Sequence, residues 1–187
     1  MGRIEDLAER YGQHISTPWA RNLAGAQRII FVVYDKSDER RLRAKRKDFE
    51  NRTRAAGHGW IEFDFARCFG AWMSAQEYRE EYFAAPEDMA MKLETDFTAF
   101  CAEELRRVLT STEVKDDTVV AVFGAGSLYG LTRLSHVLGK VEADIRGRLT
   151  VFFPGGKEGN NYRLLDARDG WSYLAVAITA HQGEVEA

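Results

Sequence analysis

The sequence predicts an α/β fold: a mainly parallel sheet held between helices in three layers. Three observations lead there. Thr118-Val119-Val120-Ala121-Val122-Phe123 is an unbroken β-branched and apolar run, the habit of a strand buried on both faces. Comparable runs occur at residues 28–34, 60–64 and 149–153. Helix-length amphipathic segments separate them, so each connection reads as a crossover between parallel strands.

Length and composition bound the rest. A chain of 187 residues is most simply one domain, 1–187, able to bury a core without staples. A hydrophobic fraction of 45% and a charged fraction of 29% are ordinary for a globular protein. The net charge of −3 gives no basic field to draw the chain to nucleic acid or to a membrane surface. Cys68 and Cys101 lie far apart with no CxxC, so reduced thiols are expected and a metal framework is not. No run is long and apolar enough for a membrane helix, and the first residues carry neither a signal peptide nor a myristoylation motif. A cytoplasmic location is the expectation.

In chain order, Ile4, Leu7, Ala8, Tyr11 and Ile15 share one face of a short N-terminal helix within the leading segment 1–27. The strand 28–34 stops at Asp35, and Ser37 is placed to cap a long helix running to Gly57-His58-Gly59. Residues 60–64 alternate enough to sit nearer a sheet edge. Helical pattern resumes through Phe69, Trp72 and Met73, then 77–83, and Pro86 suits the first turn of the next helix. Met89, Leu93, Phe97, Cys101, Leu105 and Val108 give that helix a broad apolar face.

After the central strand comes Gly124-Ala125-Gly126-Ser127-Leu128-Tyr129-Gly130, with Ser127 expected to cap a helix over 128–138. Pro154-Gly155-Gly156 and Gly159-Asn160-Asn161 read as turns. Residues 162–165 and 171–176 read as a β-hairpin at a sheet edge, joined by a five-residue loop over 166–170. A frayed tail is expected at 181–187.

Candidate chemistry is sparse. Gly124, Gly126 and Ser127 approximate a dinucleotide fingerprint, but on a late strand and with no Lys-Ser or Lys-Thr pair, so a tight packed turn is the better reading. Asp35 and Asp64 each end a strand, where Mg²⁺ sites and acid–base pairs assemble, yet an aspartate there is also a common turn former. They define the alternative reading, a metal-dependent phosphoryl-transfer or hydrolase enzyme working near residues 124–127. The four histidines show no metal spacing, and no cofactor is expected.

Charge is more telling. Residues 40–54 hold eight basic side chains, with Arg40, Arg43, Lys47 and Arg54 in a stripe opposite Leu42 and Phe49. Residues 77–104 hold nine acidic ones against Arg79 and Lys92. The stripe is either a solvated face, or a basic helix beside an acidic one, or a docking surface for a partner or a nucleic-acid backbone. The segment holding Gly155, Gly156, Asn160, Asn161, Tyr162, Arg163, Asp166 and Arg168 is the second candidate partner-binding surface, since binding loops form at the carboxyl edge of such sheets.

Several stretches carry a resemblance: Trp19-Ala-Arg-Asn-Leu-Ala-Gly, Phe31-Val-Val-Tyr-Asp-Lys-Ser-Asp-Glu-Arg-Arg-Leu-Arg, Ala56-Gly-His-Gly-Trp, Trp72-Met-Ser-Ala-Gln-Glu-Tyr-Arg-Glu, the glycine turn from Gly124, and the long run from Phe153 to Leu174. On these the chain resembles the BrxB family, a small component of bacterial BREX (bacteriophage exclusion) defence systems. The resemblance implies a nucleotide-binding-like core without a phosphate loop, and no catalytic motif. It implies a non-enzymatic adaptor that binds the alkaline-phosphatase-like component and bridges it to the methyltransferase or the large ATPase. DNA would be engaged indirectly or weakly.

Overall fold

In the computed structural model, which describes residues 2–167 and 170–180, the chain is an α/β protein with a mostly parallel open sheet flanked by helices. Arg168 and residues 181–187 lie outside the described residues. The first helix, α1 (Arg3–Ser16), buries Ile4, Leu7, Ala8, Tyr11 and Ile15, the face its spacing predicts. Strand β1 (Ile29–Tyr34) follows, buried at every position.

The expected long helix after β1 arrives in pieces. Asp35, not Ser37, is the cap: its carboxylate accepts from the Ser37 N–H at 2.8 Å and opens a single 3₁₀ turn. Helices α2 (Glu39–Ala44) and α3 (Arg46–Ala55) then meet at Lys45, whose backbone leaves helical geometry. Strand β2 (Gly59–Asp64) is half-exposed and occupies one sheet edge, as its alternation predicts. Helices α4 (Cys68–Ser74) and α5 (Arg79–Ala84) lead to a 3₁₀ turn opened by Pro86. The short α6 (Ala90–Lys92) widens into a π-turn over Leu93–Phe97 before α7 (Thr98–Leu109).

Strand β3 (Thr118–Phe123) is buried throughout. The helix expected over 128–138 is not continuous. A 3₁₀ turn spans Ala125–Leu128, Gly130 takes φ of 75°, and α8 covers only Leu134–Gly139. Ser127 caps nothing: its hydroxyl donates to the Gly124 carbonyl at 2.6 Å.

Strand β4 (Arg148–Glu158) runs on through Pro154-Gly155-Gly156, where a turn was expected. Its first half pairs in parallel with β1 and β3, and its second half turns back at Gly159-Asn160 to pair antiparallel with β5 (Asn161–Leu164). Gly155 permits this ladder, because a Cβ there would sit 1.9 Å from the Arg163 carbonyl oxygen. The expected hairpin of 162–165 with 171–176 survives only as Asn161 and Tyr162 opposite β6 (Trp171–Ser172). β7 (Val176–Thr179) separates and lies parallel to β1 at the far edge. The hairpin therefore projects from a central strand rather than widening the sheet at its side.

The strand order is β2-β3-β4-β1-β7. From β1 the chain crosses to β2 over one face, through α2 and α3, and returns to β3 and β4 over the other, through α4 to α8. Reversing direction and face together keeps every crossover of one hand. Each face has its own core. Ile30, Val32, Val119, Ala121 and Phe152 pack under α1, α2 and α3, whereas Phe31, Val120, Val122, Val151 and Phe153 pack under α4, α7 and α8.

Candidate functional site

The carboxyl edge of the sheet is where the alternative reading, an enzyme, would assemble Asp35, Asp64 and the glycine turn as a site. Asp64 is fully occupied. One oxygen accepts from the Ala66 N–H at 2.9 Å, and the other takes the Arg43 guanidinium at 2.8 Å. Arg43 also bonds Glu39 at 2.7 Å, and Glu39 accepts from the Tyr34 hydroxyl. Four side chains thus tie the end of β1 to the end of β2 across the strands between them.

The electrostatics follow from this chain. Burial alone would raise the Asp64 carboxyl, but Arg43 and the Ala66 N–H more than reverse it and hold it below the usual range. The Tyr34 phenol is pushed well up by burial and by Glu39. Asp35 is exposed and held low by the hydroxyl and N–H of Ser37. Both aspartates therefore work as caps of short turns. Among the described residues no cluster of three or more His, Cys, Asp or Glu side chains is placed to hold a metal ion.

The glycine turn is closed in the same way. Gly124 has φ of 74°, and a Cβ on it would meet an Asp64 oxygen at 2.1 Å. Gly126 faces Pro154 and Leu165, so the hairpin covers the turn. The packed-turn reading fits this geometry better than a phosphate cradle.

The basic stripe is largely spent inside the molecule. Lys47 and Arg54 both bond Glu50, at 2.5 and 2.9 Å, and the two cations hold that carboxyl low. Arg41 and Lys45 reach Glu5 on α1. With Arg43 committed to Glu39 and Asp64, Arg40 is the stripe member that stands exposed without an ion pair among the described residues. The basic helices also do not lie beside the acidic segment, since the sheet separates them.

The second candidate surface divides. Asn160 and Arg163 are exposed on the hairpin, and Asp166 reaches out to pair with Lys36. Gly156 is open to solvent, while Gly155 is backed by β5 and Asn161 packs beside Gly170. Tyr162 is a correction: it is 1% exposed, with its ring against Phe31, Phe153 and Trp171, and belongs to the core. Arg168 lies outside the described residues.

Sequence reasoning missed a third surface. Tyr78, Phe83 and Met91 are 56%, 60% and 81% exposed, and all fall within the acidic segment around α5 and α6. Large apolar side chains this exposed within one short segment are candidates for contact with a partner. The signal was available for Met91: two residues from buried Met89, it points about 200° away round the helix.

The two cysteines come together in the core beneath α4 and α7. A hydrogen bond between the two thiols lowers Cys68 and, with burial, raises Cys101. No helix among the described residues is long and apolar enough to cross a membrane. Comparisons with family models, with curated proteins and with solved structures found no match to this chain.

Proposed function

We infer that this chain is a non-enzymatic assembly component of a BREX-type phage-defence complex, acting in the cytoplasm as an adaptor for the alkaline-phosphatase-like protein. The observation that carries this reading is the group Tyr78, Phe83 and Met91, exposed within a segment holding nine of the chain's acidic residues. Exposed apolar side chains in a segment whose acidic residues outnumber its basic Arg79 and Lys92 suit a partner with a basic surface, with the apolar groups burying area and the charges setting register. The hairpin face of Asn160, Arg163 and Asp166, and Arg40 on the opposite side of the sheet, offer separate contacts through which a methyltransferase or ATPase is bridged. A net charge of −3 leaves DNA a weak and salt-sensitive ligand at best.

The test is co-purification from cells that carry the complete defence island. The tagged chain brings down the phosphatase-like protein, and the Tyr78→Ser, Phe83→Ser, Met91→Ser variant loses it while staying folded. Retention of that partner by the triple variant rejects this docking surface. Failure of the unaltered chain to retain any member of the island rejects the reading itself.

A further inference from the structure

We propose that the amino-terminal edge of the sheet, opposite the edge described above, carries a pocket for a small hydroxyl-bearing phosphate monoester. A cavity of about 730 Å³ opens there between the link after α1, the turn before β2 and the loops before β3 and β4. That is the size of pocket that takes a compact organic ligand. The proposal is independent of the docking surface on the acidic segment.

Four arginines line it, Arg21, Arg28, Arg146 and Arg148, and none has a carboxylate within ion-pair distance among the described residues. Arg148 is only 8% exposed. Its guanidinium gives one bond to the Gly147 carbonyl at 3.0 Å and one to the Ala20 carbonyl at 3.1 Å. Arg28 is spread over the carbonyls of Arg21, Leu23, Ile145 and Arg146, and Arg146 donates to Val114 O at 2.9 Å. Carbonyls fix the orientation of a guanidinium without cancelling its charge. A buried cation in that condition is a site built for an anion. Burial and the neighbouring Arg28 both push the Arg148 guanidinium down from its ordinary value, which shows how poorly the charge is compensated.

His58 lines the cavity from the turn before β2. Its ring stacks on Trp19 at 3.8 Å and 9°, and its Nδ1 is buried with no hydrogen-bond partner. Trp19 in turn lies under Arg148, 4.7 Å from the guanidinium carbon. With ring contacts already made by His58 and Arg148, Trp19 serves better to brace them than to stack a base. The N–H groups of Arg146 and Arg148 not taken by those carbonyls match phosphate oxygens in number and planarity. The exposed Asp116 and Asp117, and Glu142 whose carboxylate accepts from the Tyr173 hydroxyl, line the same cavity and repel a highly charged polyphosphate, while the aspartate oxygens accept bonds from ligand hydroxyls. A sugar phosphate and a nucleoside monophosphate share this chemistry.

The experiment is calorimetry on the full chain with inorganic phosphate, glucose 6-phosphate, AMP and citrate, alongside NMR of the His58 imidazole. A phosphate monoester is expected to bind below millimolar, to shift the His58 resonances, and to lose about tenfold in affinity in Arg146→Gln. Arg133→Gln, exposed and outside the cavity lining, leaves binding unchanged. Whichever ester binds tighter, glucose 6-phosphate or AMP, identifies the source of the phosphate. Arg148→Met is expected to abolish binding, and should it fail to fold, Arg146→Gln and the His58 signal decide alone. Silence of every phosphate probe at millimolar concentration overturns the proposal. So does tighter binding of citrate than of either ester, or undiminished binding in Arg146→Gln.

Discussion

Gly124 stands where two constraints coincide, a left-handed φ of 74° and an Asp64 oxygen 2.1 Å from where a Cβ would be. Gly124→Ala is expected to cost more than about 2 kcal/mol by urea unfolding, while Gly126→Ala, meeting Pro154 at 3.4 Å, costs well under about 1 kcal/mol. Comparable losses from both would remove the account of the turn. Arg43→Met leaves Asp64 and Glu39 half-buried without their cation and is expected to cost about 1.5 kcal/mol. Because the Asp64 carboxyl is held low when folded, its contribution is complete above its ordinary value of 3.8 and fades as pH falls through the lower folded value. In Arg43→Met the folded carboxyl rises towards its ordinary value, so this acid-induced loss shrinks and the variant's deficit against the wild type narrows as pH falls. Thermal melts of both proteins from about pH 5 downward read this directly. A variant whose melting temperature tracks the wild type in parallel down the whole series contradicts it.

At the scale of elements, β1 and β3 were legible because unbroken β-branched runs have few other uses, and β2 because its alternation suits an edge. What escaped sequence reasoning had tertiary causes. Helix 128–138 was broken by Gly130 in a left-handed conformation, although Leu131, Leu134 and Leu138 kept helical spacing. Pro154-Gly155-Gly156 looked like a turn, yet Pro154 lies where β4 outruns its neighbours, and Gly155 admits the close approach of β5. The hairpin is consequently part of the core. Tyr162→Ala is expected to cost about 3 kcal/mol by denaturant unfolding, as for other large buried rings. A loss below about 1 kcal/mol would return Tyr162 to the surface role first expected of it. Gly155→Ala should strip hydrogen-exchange protection from Asn161–Leu164 while leaving β3 protected. Equal protection in both segments would show the ladder tolerates a side chain there.

Across the whole molecule, segregation of charge was visible in the sequence, but its consequence was not. The basic segment 40–54 finds Glu5, Glu39, Glu50 and Asp64 as partners, Glu5 and Asp64 brought from outside its own helices by the fold, and it is largely neutralised. The acidic segment lies across the sheet from it and carries the exposed rings instead. Asp35 and Asp64 stand at strand ends, where the sequence placed them, and their bonds to Ser37, Ala66 and Arg43 are those of turn-forming aspartates. The account therefore rests on one surface. Calorimetric titration of the purified chain with the alkaline-phosphatase-like protein, at low and at high salt, tests it most directly. The predicted result is a complex that weakens with salt and disappears in the Tyr78→Ser, Phe83→Ser, Met91→Ser variant. Binding that is indifferent to both changes, or absent from the unaltered chain, would contradict it.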